Sequence, residues 1–210
     1  DFTASAQLGG PDKEIAFSVP TGNFGDIFAG YVAKQMGLPI AQLMIATNIN
    51  DILARVLKIG IYEIGDVVAS SSPSMDIQVS SNFERLLFEA TGRDAVEVCR
   101  LMGELAEKQK FSLSTNVLEV MRESFAAERV DEGETAKIIK DMFEADGMLL
   151  DPHTAVGFGA ALRSDVPAST PIVTLATAHP AKFPASVEKA CHRSACLLYT
   201  SDAADELRSV

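Results

Sequence analysis

Residues 21–26, Thr-Gly-Asn-Phe-Gly-Asp, are the segment whose residue types and spacing best suit chemistry. They follow an apolar, β-prone run at residues 15–19 and precede a helical pattern that begins at Asp26. A glycine-bearing turn between a strand and a helix presents backbone N–H groups to an anion, and the helix dipole adds to the attraction. Gly22 and Gly25 can adopt positive φ and let a phosphate approach the backbone. The segment therefore predicts a phosphate-binding loop, with an ordinary strand–helix turn as the alternative.

The loop differs from two common nucleotide-binding loops. It carries no lysine of the kind that a P-loop uses, and its two glycines do not fit the dinucleotide pattern Gly-x-Gly-x-x-Gly. The carboxylate of Asp26 at its end is also unfavourable for a bare nucleotide phosphate. The pattern therefore does not predict a nucleotide.

A second candidate segment, residues 177–183, follows the apolar run at residues 172–177. The carboxyl ends of parallel strands form the edge where α/β sheets bind ligands. Thr177 could offer its hydroxyl to a ring nitrogen. His179 is a candidate acid or base, and Lys182 is a candidate imine-forming amine. A structural histidine before proline and a solvated lysine in the first turn of a helix are the simpler alternatives.

Polar residues at other predicted strand ends have two explanations each. Those that follow the predicted strand at residues 43–46 either cap the next helix or touch a ligand. Asp151 and Pro152 are typical of a helix start, because an acidic cap precedes proline at the first helical position. The candidates are Asn48, Asn50, Asp51 and the segment 151–154.

Strands and helices alternate around these segments. The runs at residues 15–19 and 43–46 predict strands, and residues 26–36 and 52–59 predict helices, an order typical of a parallel sheet. Residues 82–146 have mostly helical patterns, after which a helix, a strand at 172–177 and a last helix follow. We expect an α/β fold with a parallel sheet. Its parts are 1–69 with the loop, a mostly helical insertion at 70–147, and a return to the sheet at 148–195.

Composition excludes several classes of protein. The chain has 210 residues, with 18 basic and 29 acidic side chains and a formal net charge of −11. Without a basic cluster, such a chain repels nucleic acid and anionic membrane surfaces. No apolar run is long enough to span a bilayer. Three cysteines and three histidines at scattered positions predict neither a disulfide framework nor a metal site. We expect a soluble protein of a reducing, cytoplasmic compartment.

Several segments together resemble one enzyme family. They are SVPTGNFGD (18–26), ATN (46–48), ND (50–51), SMDI (74–77), SSNFER (80–85), DPHTAVG (151–157) and TAHPAKF (177–183). In this order, from about residue 7 to 190, they are similar to threonine synthases, which depend on pyridoxal 5'-phosphate (PLP). The resemblance implies a tryptophan-synthase-β-like fold, also called PLP fold type II.

The resemblance also implies an activity and a cofactor site. Threonine synthases convert O-phospho-L-homoserine and water to L-threonine and phosphate. By this resemblance Gly22, Asn23, Phe24 and Asp26 would bind the cofactor phosphate, and Thr177 would hydrogen-bond the pyridine nitrogen. A neutral hydroxyl there does not enforce a protonated pyridinium, which suits elimination and replacement chemistry.

One expected residue is missing from the matched segments. The family's Schiff-base lysine lies upstream of the phosphate loop in a Phe-Lys-Asp context. Lys13 is the only lysine before the loop and lacks that context, whereas Lys34 and Lys182 match non-catalytic positions. We therefore expect this polypeptide alone to be inactive, although the family consists of lyases. The alternatives are another PLP-dependent lyase of this fold, such as a threonine dehydratase with its more glycine-rich loop, or a non-catalytic module that binds a phosphate ligand.

The resemblance fades after about Lys189. Residues 196–210 begin CLLYTSDAADE, which looks like a translated transposase adapter from sequencing-library preparation. We expect this segment to be foreign to the natural protein, and either disordered or packed without specificity.

Overall fold

The structure is a computed structural model that describes residues 2–193 and 195. The expectation for residues 196–210 lies outside the described residues. In chain order the strands are β1 (Ile15–Pro20), β2 (Ile40–Thr47), β3 (Ile61–Glu63), β4 (Lys110–Ser112), β5 (Phe125–Arg129) and β6 (Ile172–Thr174). The helices are α1 (Phe2–Gln7), α2 (Gly25–Gln35), α3 (Ile52–Ile59), α4 (Phe83–Ala90), α5 (Ala95–Lys108), α6 (Thr115–Arg122), α7 (Glu132–Asp146), α8 (Pro152–Leu162) and α9 (Pro184–Cys191). Short 3-10 helices cover Pro73–Met75 and Pro180–Lys182.

The main sheet has the strand order β5-β2-β1-β6, and all of its neighbouring strands are parallel. In β1, Phe17 is paired with Leu43 of β2 on one side and with Val173 of β6 on the other. Every residue of β1 is buried, as expected for a central strand of a parallel sheet that is covered on both faces. The α/β fold with a parallel sheet is therefore confirmed. Strands β3 and β4 form a separate antiparallel pair.

Strand β5 is not predicted by the sequence pattern. It lies in the segment expected to be mostly helical, and it pairs with β2 from Leu43–Phe125 to Thr47–Arg129. Its sequence, Phe-Ala-Ala-Glu-Arg, has one large apolar residue and no β-branched residue, so neither periodicity nor propensity indicates a strand. Pairing with β2 determines its conformation. The main sheet thus takes an edge strand from residues 70–147.

Some of the helix ends are capped by the residues that the sequence predicts, and others are not. Asp151 caps α8, with its carboxylate accepting the N–H groups of His153 and Thr154. Gly60 ends α3 in the left-handed region, at φ 73°. Asp51 precedes α3 but makes no side-chain cap; its carboxylate instead pairs with Arg55, 2.9 Å away.

The last strand is shorter than predicted. The apolar run suggested residues 172–177, but β6 ends at Thr174, and the N–H of Leu175 still donates to the carbonyl of Ser18. Thr177 therefore lies beyond the strand as an exposed residue. In the part of the chain that the structure describes, no helix is both long and apolar enough to cross a membrane.

Candidate functional site

A cavity of about 280 Å³ lies where β1 ends and α2 begins. It is lined by residues 20–27, by Ser74 and Met75, and by His153, Thr177 and Ala178. All five residues that the resemblance implied for the cofactor line it: Gly22, Asn23, Phe24, Asp26 and Thr177. Folding thus brings the two candidate segments, which are about 150 positions apart in the sequence, to one cavity.

The backbone of the loop forms a concave set of N–H groups. Phe24 precedes α2 with φ 67° and ψ 9°, a left-handed conformation, and Gly25 then starts the right-handed helix. Successive left- and right-handed residues point their N–H groups into one concavity, a common anion-binding arrangement. The first N–H groups of α2 have no acceptor within the helix. The loop and the helix start can therefore donate several hydrogen bonds to one anion.

The ring of Phe24 is fully buried, which accounts for its unusual backbone. It meets the ring of Phe83 in a T-shaped contact, with 5.4 Å between centroids, and lies 5.8 Å from the ring of Phe125. A left-handed conformation costs a non-glycine residue roughly 1–2 kcal/mol. Burial of the phenyl ring and its aromatic contacts offset that cost.

The two loop glycines differ from expectation. Neither Gly22 nor Gly25 has positive φ; Phe24 is the left-handed residue of the loop. Gly22 is required for another reason, because a Cβ atom there would lie 2.5 Å from the carbonyl oxygen of Ser74. The prediction of positive φ at these glycines is therefore wrong, and the close approach that requires Gly22 comes from a segment far away in the chain.

Two loop carbonyls accept hydrogen bonds from the segment before α4. Ser80 donates its Oγ–H to the carbonyl of Gly22, at 2.8 Å. Asn82 donates its side-chain amide to the carbonyl of Asn23, also at 2.8 Å. These two hydrogen bonds fix the backbone of the loop against the segment before α4.

A buried polar network holds the Ser74–Met75 side of the cavity. The amide of Asn48 donates to Ser70, to Ser72 and to Asp76. Asn50 donates to the same Asp76 oxygen, at 2.9 Å. These contacts tie the end of β2 to the turn at Pro73–Met75. Asn48 and Asn50 therefore support the cavity wall and are not among its lining residues.

His153 is a cavity residue to which the sequence assigned no specific role. Its ring is buried, Nε2 accepts the N–H of Ser74 at 3.3 Å, and Nδ1 lies 3.0 Å from Asp151 Oδ1. Burial by itself would raise the pKa of the Asp151 carboxyl. Hydrogen bonds from His153 and Thr154 outweigh burial and lower this pKa below its ordinary value.

His179 and Lys182 are placed differently from Thr177. The Nδ1 atom of His179 accepts the N–H of Ala181 at 3.1 Å, so this histidine caps the 3-10 helix Pro180–Lys182. Neither His179 nor Lys182 is among the residues that line the cavity. Of the residues in this segment, Thr177 and Ala178 reach the cavity. Across the described ranges, no group of three or more His, Cys, Asp or Glu side chains is arranged to hold a metal ion.

Comparison with known proteins identifies the chain's relatives. A family model described as the C-terminal part of threonine synthase matches residues 154–208. A threonine synthase of Pseudomonas aeruginosa is 49% identical over 189 residues, which cover 90% of this chain and 40% of that protein. The solved structure of a PLP-bound threonine synthase from Brucella melitensis matches with a TM-score of 0.92 and 55% identity, covering 94% of this chain and 42% of its own. The yeast threonine synthase structure matches with a TM-score of 0.84 and 42% identity, covering 97% of this chain and 43% of its own.

The agreement extends over almost the whole chain in both sequence and fold. The chain spans about 40% of the length of the curated relatives it matches. The solved relatives share its α/β architecture with a parallel sheet. On this evidence the chain belongs to the threonine synthase family.

Proposed function

We propose that the chain forms the phosphate-binding part of a PLP-dependent threonine synthase. The whole enzyme would convert O-phospho-L-homoserine and water to L-threonine and phosphate. The observation that carries the proposal is the convergence of the five implied cofactor residues on one cavity, at the ends of β1 and β6 and the start of α2. The PLP-bound relative at 55% identity supports the choice of cofactor.

The residues present fit a phosphate group. Gly22 and Phe24 have no polar side-chain atoms, so both can donate only through backbone N–H groups. The carboxylate of Asp26 cannot donate to a phosphate, and Asp26 would contribute its N–H from the first turn of α2. The side chain of Asn23, which is exposed at the cavity, can add an amide donor. This combination is typical of phosphate held by a helix N-terminus.

Another lining residue of the cavity, Thr177, fits a ring nitrogen. Thr177 would direct its hydroxyl to the pyridine nitrogen and would leave this nitrogen without the full charge that a carboxylate partner imposes. When bound, PLP supplies the electron sink on which loss of phosphate from the substrate depends. Thr177 would therefore moderate the cofactor and hold its ring in place.

The cavity of this chain contains no candidate for the Schiff-base lysine. Among its described lining residues there is no lysine. Lys13 is exposed on the turn before β1, and Lys34 lies near the end of α2. We infer that the 210-residue chain binds PLP through its phosphate loop and does not turn over substrate by itself.

Titration of the 210-residue protein with PLP, followed by phosphorus NMR, tests this function. We expect saturable binding that inorganic phosphate competes away. Borohydride reduction and peptide mapping should then find no adduct on a cavity lysine, and O-phospho-L-homoserine should release no phosphate. Absence of saturable binding would contradict the phosphate loop. A stable adduct on one lysine together with phosphate release would contradict the inferred inactivity.

A further inference from the structure

His153, which lines the cavity, contacts three residues around it, of which Ser74 also lines the cavity. From the first turn of α8, its Nε2 atom accepts the N–H of Ser74, 79 positions earlier in the chain. Its Nδ1 atom faces the Asp151 carboxylate, 3.0 Å away. Its ring packs against the ring of Phe183, with 4.7 Å between centroids. Phe183 ends the same segment, residues 177–183, that brings Thr177 to the cavity.

The hydrogen bonds determine the protonation of the ring. Since Nε2 accepts a hydrogen bond from the backbone N–H of Ser74, Nε2 carries no hydrogen of its own. The proton of the neutral ring is then on Nδ1, which donates to the Asp151 carboxylate. The buried carboxylate also accepts two backbone N–H groups and the hydroxyl of Thr154, so it is fixed in place.

Both nitrogens of His153 are therefore occupied by the protein. A general base needs a free lone pair close to the proton that it removes, and this ring has none available. His153 is instead buried, at 3% relative exposure, where it can fix the distances between the residues that it contacts. Such a histidine would affect a ligand indirectly, through the positions of those residues.

We propose that His153 is a positioning residue that sets the Ser74 wall and the Thr177 segment at the separation that bound PLP requires. This inference rests on the proposed function, because it assumes that PLP is the ligand. Ser74 lies against Gly22 in the phosphate loop, and Phe183 supports the segment that carries Thr177. A change at His153 would thus move both walls relative to the loop.

Two substitutions separate the contacts of the ring. In His153→Gln the side-chain oxygen reaches the former position of Nε2 and can still accept the N–H of Ser74. In His153→Asn the amide ends near the former position of Nδ1, so it can donate to Asp151 but cannot reach Ser74. Each variant thus keeps one of the two hydrogen bonds of the ring, so the difference between them compares the Ser74 contact with the Asp151 contact. The control is His192→Asn, at the exposed C-terminal cap of α9, where Asn tolerates the left-handed φ of 54°.

The test combines PLP affinity with the state of the ring in the free protein. Of the two partners only Ser74 lines the cavity, so His153→Asn, which loses that contact, should bind PLP about fivefold more weakly than His153→Gln. His192→Asn should match the unchanged protein. Equal affinity of the Asn and Gln variants would overturn the proposal. Unfolding curves confirm that the variants compared are folded.

Nitrogen NMR of the unchanged protein gives a second readout that needs no variant and no ligand. We expect His153 to be protonated on Nδ1 and unprotonated on Nε2. The opposite tautomer, or a doubly protonated ring at neutral pH, would overturn the proposal. If the unchanged protein fails to bind PLP while the Nδ1–H tautomer is observed, the proposed function fails and the arrangement of His153 stands.

Discussion

Asn48 and Asp76 lie 28 positions apart in the chain, and their side chains meet in a 2.8 Å hydrogen bond from Nδ2 to Oδ1. Asn48 is fully buried. The same Asp76 oxygen also accepts from Asn50 and Ser70. This interaction joins the end of β2 to the turn that carries Ser74 and Met75, so that wall of the cavity depends on it.

Exchanging the donor and the acceptor of the Asn48–Asp76 hydrogen bond should reveal how much this bond contributes to stability. Asn48→Asp replaces a donor with a second carboxylate beside Asp76, and we expect the free energy of unfolding to fall by about 3 kcal/mol. The double variant Asn48→Asp with Asp76→Asn restores one donor and one acceptor, so it should be more stable than the single variant. Urea unfolding of both singles and the double gives the coupling energy. A double variant that is no better than Asn48→Asp would contradict the pairing.

The left-handed conformation of Phe24 predicts an unusual order of stability for two variants at this position. Both Phe24→Ala and Phe24→Gly lose the ring contacts with Phe83 and Phe125, but glycine adopts positive φ without strain. We expect Phe24→Gly to be more stable than Phe24→Ala by roughly 1 kcal/mol, the reverse of the order at a helical or extended position. Urea midpoints measure the difference. Higher stability of the alanine variant would show that residue 24 is not held in the left-handed region.

Gly22→Ala should damage the phosphate loop. Its Cβ atom would lie 2.5 Å from the carbonyl oxygen of Ser74, a backbone atom that cannot swing away. We expect a strain of about 1–3 kcal/mol and weaker PLP binding. The matched control is Gly103→Ala in α5, where a Cβ atom meets nothing within 4 Å, so stability should rise slightly and binding should stay unchanged. Unchanged PLP affinity in Gly22→Ala would contradict the close approach.

The lowered pKa of the Asp151 carboxyl predicts that the folded protein loses stability in acid. Its pKa is lowered in the folded protein because hydrogen bonds outweigh burial, whereas in the unfolded chain it stays near the ordinary value of 3.8. The ionised carboxylate therefore stabilises the fold above that value, and the contribution is lost as pH falls through the lowered pKa. Thr154→Val removes one donor, so the stability difference from the unchanged protein should be large at neutral pH and shrink below pH 3.8. Denaturation at several pH values measures it; a difference that does not vary with pH would contradict the role of Thr154.

Local sequence predicted the parts of the site that depend on neighbouring residues. The turn residues between a strand and a helix suffice to indicate the loop between β1 and α2, and the apolar run before Thr177 suffices to place Thr177 shortly after a strand. Asp151 with Pro152 predicted the start of α8. Each of these features needs only a few adjacent residues.

The features that the sequence did not predict depend on distant contacts. Phe24 is left-handed because its ring is held by Phe83 and Phe125, and positive φ is otherwise expected of glycine. The need for glycine at position 22 comes from Ser74, and β5 forms because β2 offers an edge. A single sequence does not show which distant residues will meet.

The origin of the last residues can be decided by reading nucleotides. The family model extends to residue 208, so it overlaps the segment 196–210 that resembles an adapter. The adapter string in the underlying DNA would support the foreign origin, and ordinary coding sequence would contradict it.

The position of β1 in the sheet also has a consequence for synthesis on the ribosome. This central strand is made well before two of its partners: Ser18 donates its hydroxyl to the carbonyl of Gly157, 139 positions later, and β6 on its other side comes later still. The edge of β1 that pairs with β6 must therefore wait until β6 has been made. Such a nascent chain folds slowly and exposes a strand edge that is prone to aggregation. The yield of folded protein in the cell should therefore depend on how well that edge is shielded during translation.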